Sequence, residues 1–151
     1  MGTGMLVGWV GQRGTGKTQG AIAMAEEACI LAERRGNVTR RPVLYTKAVE
    51  LFLVIRSAYG GDKTEQYAIR PFLECGLLVL DEVQERGGTE WEDRILNYVI
   101  DKRYDFQRDT ILISNLTTGD FAKNVGASIL SRIVEKGRVY TFKLPSFRNP
   151  T

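Results

Sequence analysis

The sequence predicts an α/β fold, a parallel five-stranded sheet with helices on both faces. Three observations carry that prediction. Short β-rich apolar runs alternate with longer helical segments along the 151 residues. The run "LLVLD" is apolar at every position up to its aspartate, the pattern of a strand buried on both sides. The glycine-rich stretch "GQRGTGKT" stands between one such run and an alanine-rich segment, where a strand turns into a helix.

The elements follow in chain order. "MLVGWV" (Met5 to Val10) reads as the first buried strand, and Lys17 to about Arg35 as a helix stopped by Gly36. "PVLYT" is the second strand, followed by a helix over roughly Ala48 to Tyr59. Gly60-Gly61 breaks the chain, and a shorter helix leads to Leu73. Leu77 to Asp81 is the third strand. In "TEWEDRILNYVIDKRYDF", Thr89 and Glu92 have capping-box spacing, and Trp91, Ile95, Tyr98 and Val99 trace a stripe expected to be buried. "TILIS" is the fourth strand and "RVYTFKL" the fifth. Between them lies a helix over about Ser128 to Glu135 whose Ile129, Leu130 and Ile133 should face inward. Ligands on such sheets sit beyond the carboxyl ends of the strands.

A chain of this length is expected to form a single domain, 1–151, with a core of its own. Hydrophobic content of 43% and charged content of 26% fit an ordinary globular protein. No apolar run approaches membrane-spanning length, so no membrane partner is expected. The start "MGTGMLVGWVGQ" lacks the basic segment and cleavage site of a secretory signal. Cys29 and Cys75 fit no metal spacing and read as reduced core thiols, which predicts a cytoplasmic protein. Histidine is absent, so proton transfer and metal binding fall to carboxylates, hydroxyls and water. The net charge of +3 is segregated: Glu74 to Asp109 holds ten acidic and five basic residues, Phe121 to Thr151 one acidic and six basic. With "RRGNVTRR" (Arg34 to Arg41), that separation suits an anionic partner.

Gly11, Gly16, Lys17 and Thr18 satisfy the phosphate-loop pattern GxxxxGK(S/T). Its cradle comprises Gly11, Gln12, Arg13, Gly14, Thr15, Gly16, Lys17 and Thr18, with Gln19 following. Gly14 and Gly16 let the backbone curl so that N–H groups point at phosphate oxygens. Lys17 adds positive charge at the β- and γ-phosphates, and Thr18 offers a hydroxyl to Mg²⁺ at the positive end of the next helix. Asp81, at the tip of a buried strand, is costly without a cation or hydrogen bonds and is the expected partner of Mg²⁺. Glu82, one residue on, is placed to polarise an attacking water. Asn115, ending "ILISN", can hydrogen-bond a γ-phosphate and that water. Arg132, in "GASILSRI", suits either a surface salt bridge or a neighbouring subunit's γ-phosphate.

With these segments in order, the chain resembles the AAA+ ATPases of the bacterial helicase-loader group (DnaC and DnaI type), close kin of the transposition helper IstB. The likeness runs from Leu6 to Arg148 and rests on "LLVLDEVQ", "WEDRILNYVIDKRYDFQRDTILISN", "GASILSRIVEKG" and "PSFR" in that order. It implies a three-layer P-loop NTPase sandwich of strand order 5-1-4-3-2 without a substantial carboxyl-terminal helical lid. It implies ATP and Mg²⁺ as cofactors. Lys17 and Thr18 then belong to Walker A, Asp81 and Glu82 to Walker B, and Asn115 to sensor 1. Arg132 becomes an arginine finger acting in trans on a self-associated neighbour, and Arg148 a sensor 2. Phe147 stands where the loaders carry tyrosine, and Ser128 where the motif often shows a further arginine. The segment "IRSAYGGDKTEQYAIRPFLECG" matches an insertion associated in the loaders with assembly and single-stranded DNA. Its Arg56, Lys63 and Arg70, with Tyr59 and Tyr67, mix cations and rings as single-strand binders do, and the segment reads equally as an ordinary amphipathic helix pair. The loaders grip the replicative helicase through an amino-terminal domain. This chain begins almost at its first strand, so no residue within it is assigned to helicase binding.

The leading expectation is therefore an ATP-hydrolysing domain of a DNA-replication helicase loader, its nucleotide state controlling self-assembly and single-stranded DNA binding. An IstB-like helper acting on duplex DNA and a non-hydrolysing ATP switch are the alternatives. A small P-loop kinase ranks below them, because "SRIVEKGR" is too sparse in arginine for a kinase lid.

Overall fold

The computed structural model describes residues 2–36, 41–62 and 64–147. Among the described residues, five strands form one parallel sheet: β1 (Leu6–Val10), β2 (Val43–Lys47), β3 (Leu77–Asp81), β4 (Asp109–Ser114) and β5 (Val139–Thr141). Their order, β2-β3-β4-β1-β5, is the expected 5-1-4-3-2 read from the other edge. Parallel neighbours cannot be joined by a hairpin, so each link carries helix. The helices are α1 (Lys17–Arg34), α2 (Ala48–Ser57), α3 (Glu65–Glu74), α4 (Glu90–Asp105), α5 (Thr118–Val125) and α6 (Ala127–Lys136), with a 3-10 turn at Val83–Glu85. No helix among the described residues is long and apolar enough to cross a membrane.

Alternation along the strands sorts the core into two layers. Val7, Trp9, Leu77, Val79, Ile111 and Ile113 pack with Ala21 of α1 on one face. Leu78, Leu80, Leu112, Leu6 and Val10 face the other way, into a larger cluster supplied by α2 to α6. Asp81 continues the parity of Leu77 and Val79. Its side chain therefore emerges on the face of α1, whose first turn carries Thr18. That parity joins the two halves of the site.

Several elements depart from the expected bounds for identifiable reasons. β5 ends at Thr141 rather than continuing through Leu144, because β1, its ladder partner among the described residues, is paired just over Gly8 to Val10. Beyond Val10 the neighbouring chain curls into the phosphate loop and offers no further edge. Helix α5, unassigned in the sequence reading, is capped by Thr117, whose side chain accepts from Asp120 N–H. Gly119 in its first turn weakens the helical signal. On α4 the expected capping box is present: Thr89 Oγ1 accepts from Glu92 N–H at 3.2 Å, and Glu92 returns the bond to Thr89 N–H at 3.2 Å. Burial opposes ionisation of Glu92, but the Thr89 and Gly87 amides outweigh it and hold the carboxyl below its ordinary range. The buried stripe of α4 is Glu92, Ile95, Leu96, Val99, Ile100 and Arg103, a run of i, i+3, i+4, i+7, i+8 and i+11. Tyr98, expected in that stripe, is exposed, and Trp91 is half-buried. On α6, Ile129 and Ile133 are buried as expected, whereas Leu130 is half-buried. Cys75 is a buried free thiol, but Cys29 is only half-buried on α1.

Candidate functional site

The loop after β1 is built around backbone that only glycine takes easily. Gly14 and Gly16 have φ of 81° and 87°. At Gly11 the need is also steric, since a Cβ there would meet the Phe142 carbonyl oxygen at 2.4 Å. Gly16 caps α1, whose first residue is Lys17. The Lys17 side chain folds back into the loop, where Nζ donates to Gly11 O at 2.6 Å, Gln12 O at 2.7 Å and Thr15 Oγ1 at 3.3 Å. It is 4% exposed. Burial lowers its ammonium below the ordinary lysine value, and the Asp81 carboxylate pulls the other way. A buried cation at the positive end of a helix is doubly unfavourable. An anion in the cradle relieves both costs.

Across the sheet edge, Asp81 is 4% exposed and fully partnered. Thr18 Oγ1 donates to its Oδ2 at 2.7 Å, Tyr45 OH donates to the same oxygen at 2.5 Å, and Glu82 N–H donates to Oδ1 at 2.8 Å. Burial, reinforced by the bond to Asp81, holds the Tyr45 hydroxyl protonated well above its usual range. Glu82 adopts a left-handed conformation (φ 53°) that is uncommon outside glycine. That conformation turns the chain off β3 into the 3-10 turn. The Glu82 carboxylate pairs with Lys47 Nζ at 3.0 Å. Arg86, whose side chain is 5% exposed, secures the turn by donating to Val83 O at 3.0 Å and to Asn124 O on α5, and by pairing with Asp93.

Asn115 follows β4, and its backbone N–H donates to Gln84 Oε1 at 3.2 Å. The structure brings Arg13, Gly14, Thr15, Gly16, Lys17, Thr18, Gln19, Asp81, Glu82 and Asn115 around one cavity of about 350 Å³, with Phe147. Gly11 and Gln12 supply the carbonyls that hold Lys17. Arg13 lies at the rim, paired with Glu85 at 2.8 Å. Arg132 does not line this cavity. It pairs with Asp101 at 3.1 Å, bonds Ser128 O and Oγ at 3.1 and 2.6 Å, and lies over the Tyr104 ring. Arg56 stacks on Trp91 at 4.8 Å, and Arg70 pairs with Glu74 at 2.7 Å. Tyr59 and Tyr67 are exposed. Lys63 and Arg148 lie outside the described residues.

Sequence reading assigned no site role to Tyr45, Lys47, Gln84, Arg86 or Phe147. The first two were recoverable from strand order: with β2 beside β3, Lys47 registers with Asp81, and residues at the end of β2 must flank the carboxylates. The donor set fits a nucleotide and its metal. A buried carboxylate that accepts from the Thr18 hydroxyl at 2.7 Å could hold Mg²⁺ jointly with it, and Mg²⁺ would supply charge neutralisation for the phosphates.

The comparisons agree with this geometry. Replicative helicase loader DnaC of Escherichia coli (strain K12) is 24% identical over 124 residues, which are 82% of this chain and 47% of that protein. DnaC of Buchnera aphidicola subsp. Baizongia pistaciae is 25% identical over 141 residues, 91% of this chain and 54% of the relative. The chain thus spans about half the length of these curated relatives. In structure it is similar to the DnaC helicase loader (TM-score 0.75, 23% identity, 93% of this chain and 80% of the other). It is also similar to AMPPCP-bound DnaA from Aquifex aeolicus (TM-score 0.73, 24% identity, 92% and 40%). DnaI gives a TM-score of 0.67 at 21% identity, covering 94% and 72%. The fold is that of a P-loop AAA+ domain. The family model described as IstB-like ATP binding protein matches residues 5–151, and the chain belongs to that family.

Proposed function

We propose that this domain binds and hydrolyses Mg·ATP as part of a helicase-loader-type protein, and that nucleotide state controls its self-assembly and its hold on single-stranded DNA. One observation carries the reading: the Thr18 hydroxyl of the phosphate loop meets Asp81 at 2.7 Å, with Glu82 and Asn115 on the same cavity. The β- and γ-phosphates take the place of the carbonyls that now hold Lys17 Nζ. Thr18 and Asp81 hold the metal. Glu82, released from Lys47, orients the attacking water and accepts its proton, and the Asn115 amide steadies that water and the γ-phosphate.

Arg132 supplies the neighbouring subunit's site and must leave Asp101 and Ser128 to do so. Phosphate release assayed with and without Mg²⁺ over a dilution series tests these points together. Release is expected to need Mg²⁺, and specific activity is expected to rise with protein concentration, because a lone subunit lacks the arginine. A specific activity that stays flat on dilution contradicts the role of Arg132.

The match to the IstB-like family supports a second reading, the same ATPase acting on duplex DNA. Binding of single strands and duplexes compared across a salt series separates the two, since the phosphate contribution falls with salt in both cases. A persistent single-strand preference at high salt supports the loader reading.

A further inference from the structure

The segment after β5 is tied to the phosphate loop at two points. Phe142 N–H donates to Val10 O at 2.8 Å, where the loop begins, and Phe147 N–H donates to Gly14 O at 3.0 Å, inside it. Between these bonds the Phe142 carbonyl fills the space a side chain would occupy at Gly11. The segment therefore follows the loop and delivers the Phe147 ring above Gly16, with Cε2 4.0 Å from where a Cβ on that glycine would stand. The ring is nevertheless 67% exposed. A large aromatic side chain held by its own backbone and left uncovered has no evident packing role.

The composition of the cavity says what it can cover. Of the lining residues, Arg13, Lys17, Asp81 and Glu82 are charged, and Gly14, Thr15, Gly16, Thr18, Gln19 and Asn115 are small or polar. Among the described residues Phe147 is the one apolar ring on this wall. A nucleoside triphosphate has an anionic end, matched by Lys17 and the glycine-rich backbone. Its other end is a flat aromatic base, which needs an apolar face. We propose that Phe147 is that face: the ring stacks on the base of the bound nucleotide, and the segment 142–147 is the strap that carries it. This assignment rests on the nucleotide reading above and adds to it the residue that engages the base.

The test compares two ligands that share phosphates and differ in the base. Equilibrium binding of Mg·ATP and of magnesium tripolyphosphate is measured for the wild type, Phe147→Ala and Phe147→Tyr. The alanine variant is expected to bind ATP about ten-fold more weakly, as loss of one base–aromatic stack implies. Its affinity for tripolyphosphate is expected to be unchanged, and the tyrosine variant, which keeps a ring, should restore ATP binding. Equal weakening of both ligands would mean that Phe147 only braces the loop, and no weakening of either would mean that it touches neither; both results overturn the assignment while leaving the cradle standing. A wild-type protein that binds neither ligand overturns the nucleotide reading with it.

Discussion

Glu82→Gln is expected to lower ATP hydrolysis by at least about 100-fold, the scale of removing a general base, with Mg·ATP binding expected to persist. Glutamine keeps the size of the side chain and the left-handed turn at position 82, so the 3-10 turn and its Glu85 N–H to Glu82 O bond of 2.9 Å persist. What disappears is the negative charge proposed to orient water, together with the pair to Lys47. An exposed pair of this kind contributes little to folding, so the melting temperature should not move. Single-turnover phosphate release, read beside nucleotide affinity, checks the split. A variant hydrolysing at the wild-type rate would remove Glu82 from the mechanism and favour a different base or a non-hydrolysing switch.

Arg103→Met destabilises the fold by about 3–5 kcal/mol, a large share of the stability of a domain this size. Arg103 is completely buried on α4. Its Nε donates to Thr110 Oγ1 at 2.9 Å, and its terminal nitrogens reach Phe72 O at 2.9 Å, Cys75 O at 3.0 Å, Gly76 O at 3.2 Å and Asp109 O at 2.5 Å. These carbonyls lie at the end of α3 and the starts of β3 and β4, where regular backbone donors run out. Methionine fills the volume but takes these donors away in a dry interior. The guanidinium is itself disfavoured by burial, which draws it below the usual arginine range, so the cation is retained for its donors. Urea denaturation measures the effect. A loss under about 1 kcal/mol would mean that water enters and replaces those donors.

The loop and carboxylates of the candidate site were legible in the sequence because these residues lie within short local patterns. The phosphate loop is contiguous, Asp81 and Glu82 end an apolar run, and Asn115 ends another. Each is positioned by one strand and one turn. Arg103 was not legible, since an arginine in "DKRYDF" looks like a solvated helix residue until the packing of α3 against α4 is known. Tyr45 and Lys47 likewise required the neighbour relation between β2 and β3. Phe147 required the path of the chain beyond β5, which is set by where β1 stops offering an edge. Arg132 is intermediate: its helix was foreseen, but the contacts with Asp101, Ser128 and Tyr104 depend on α4 lying beside α6.

The proposed nucleotide site rests on a single charge inversion, in which a lysine buried against carbonyl oxygens is to be met by a phosphate. Calorimetric titration of Mg·ATP into the wild type and into Lys17→Ala measures that directly. Saturable binding by the wild type, weakened at least about ten-fold by loss of the ammonium, is the predicted result. Equal affinity in the two proteins would contradict it, because the ammonium would then hold only its own loop.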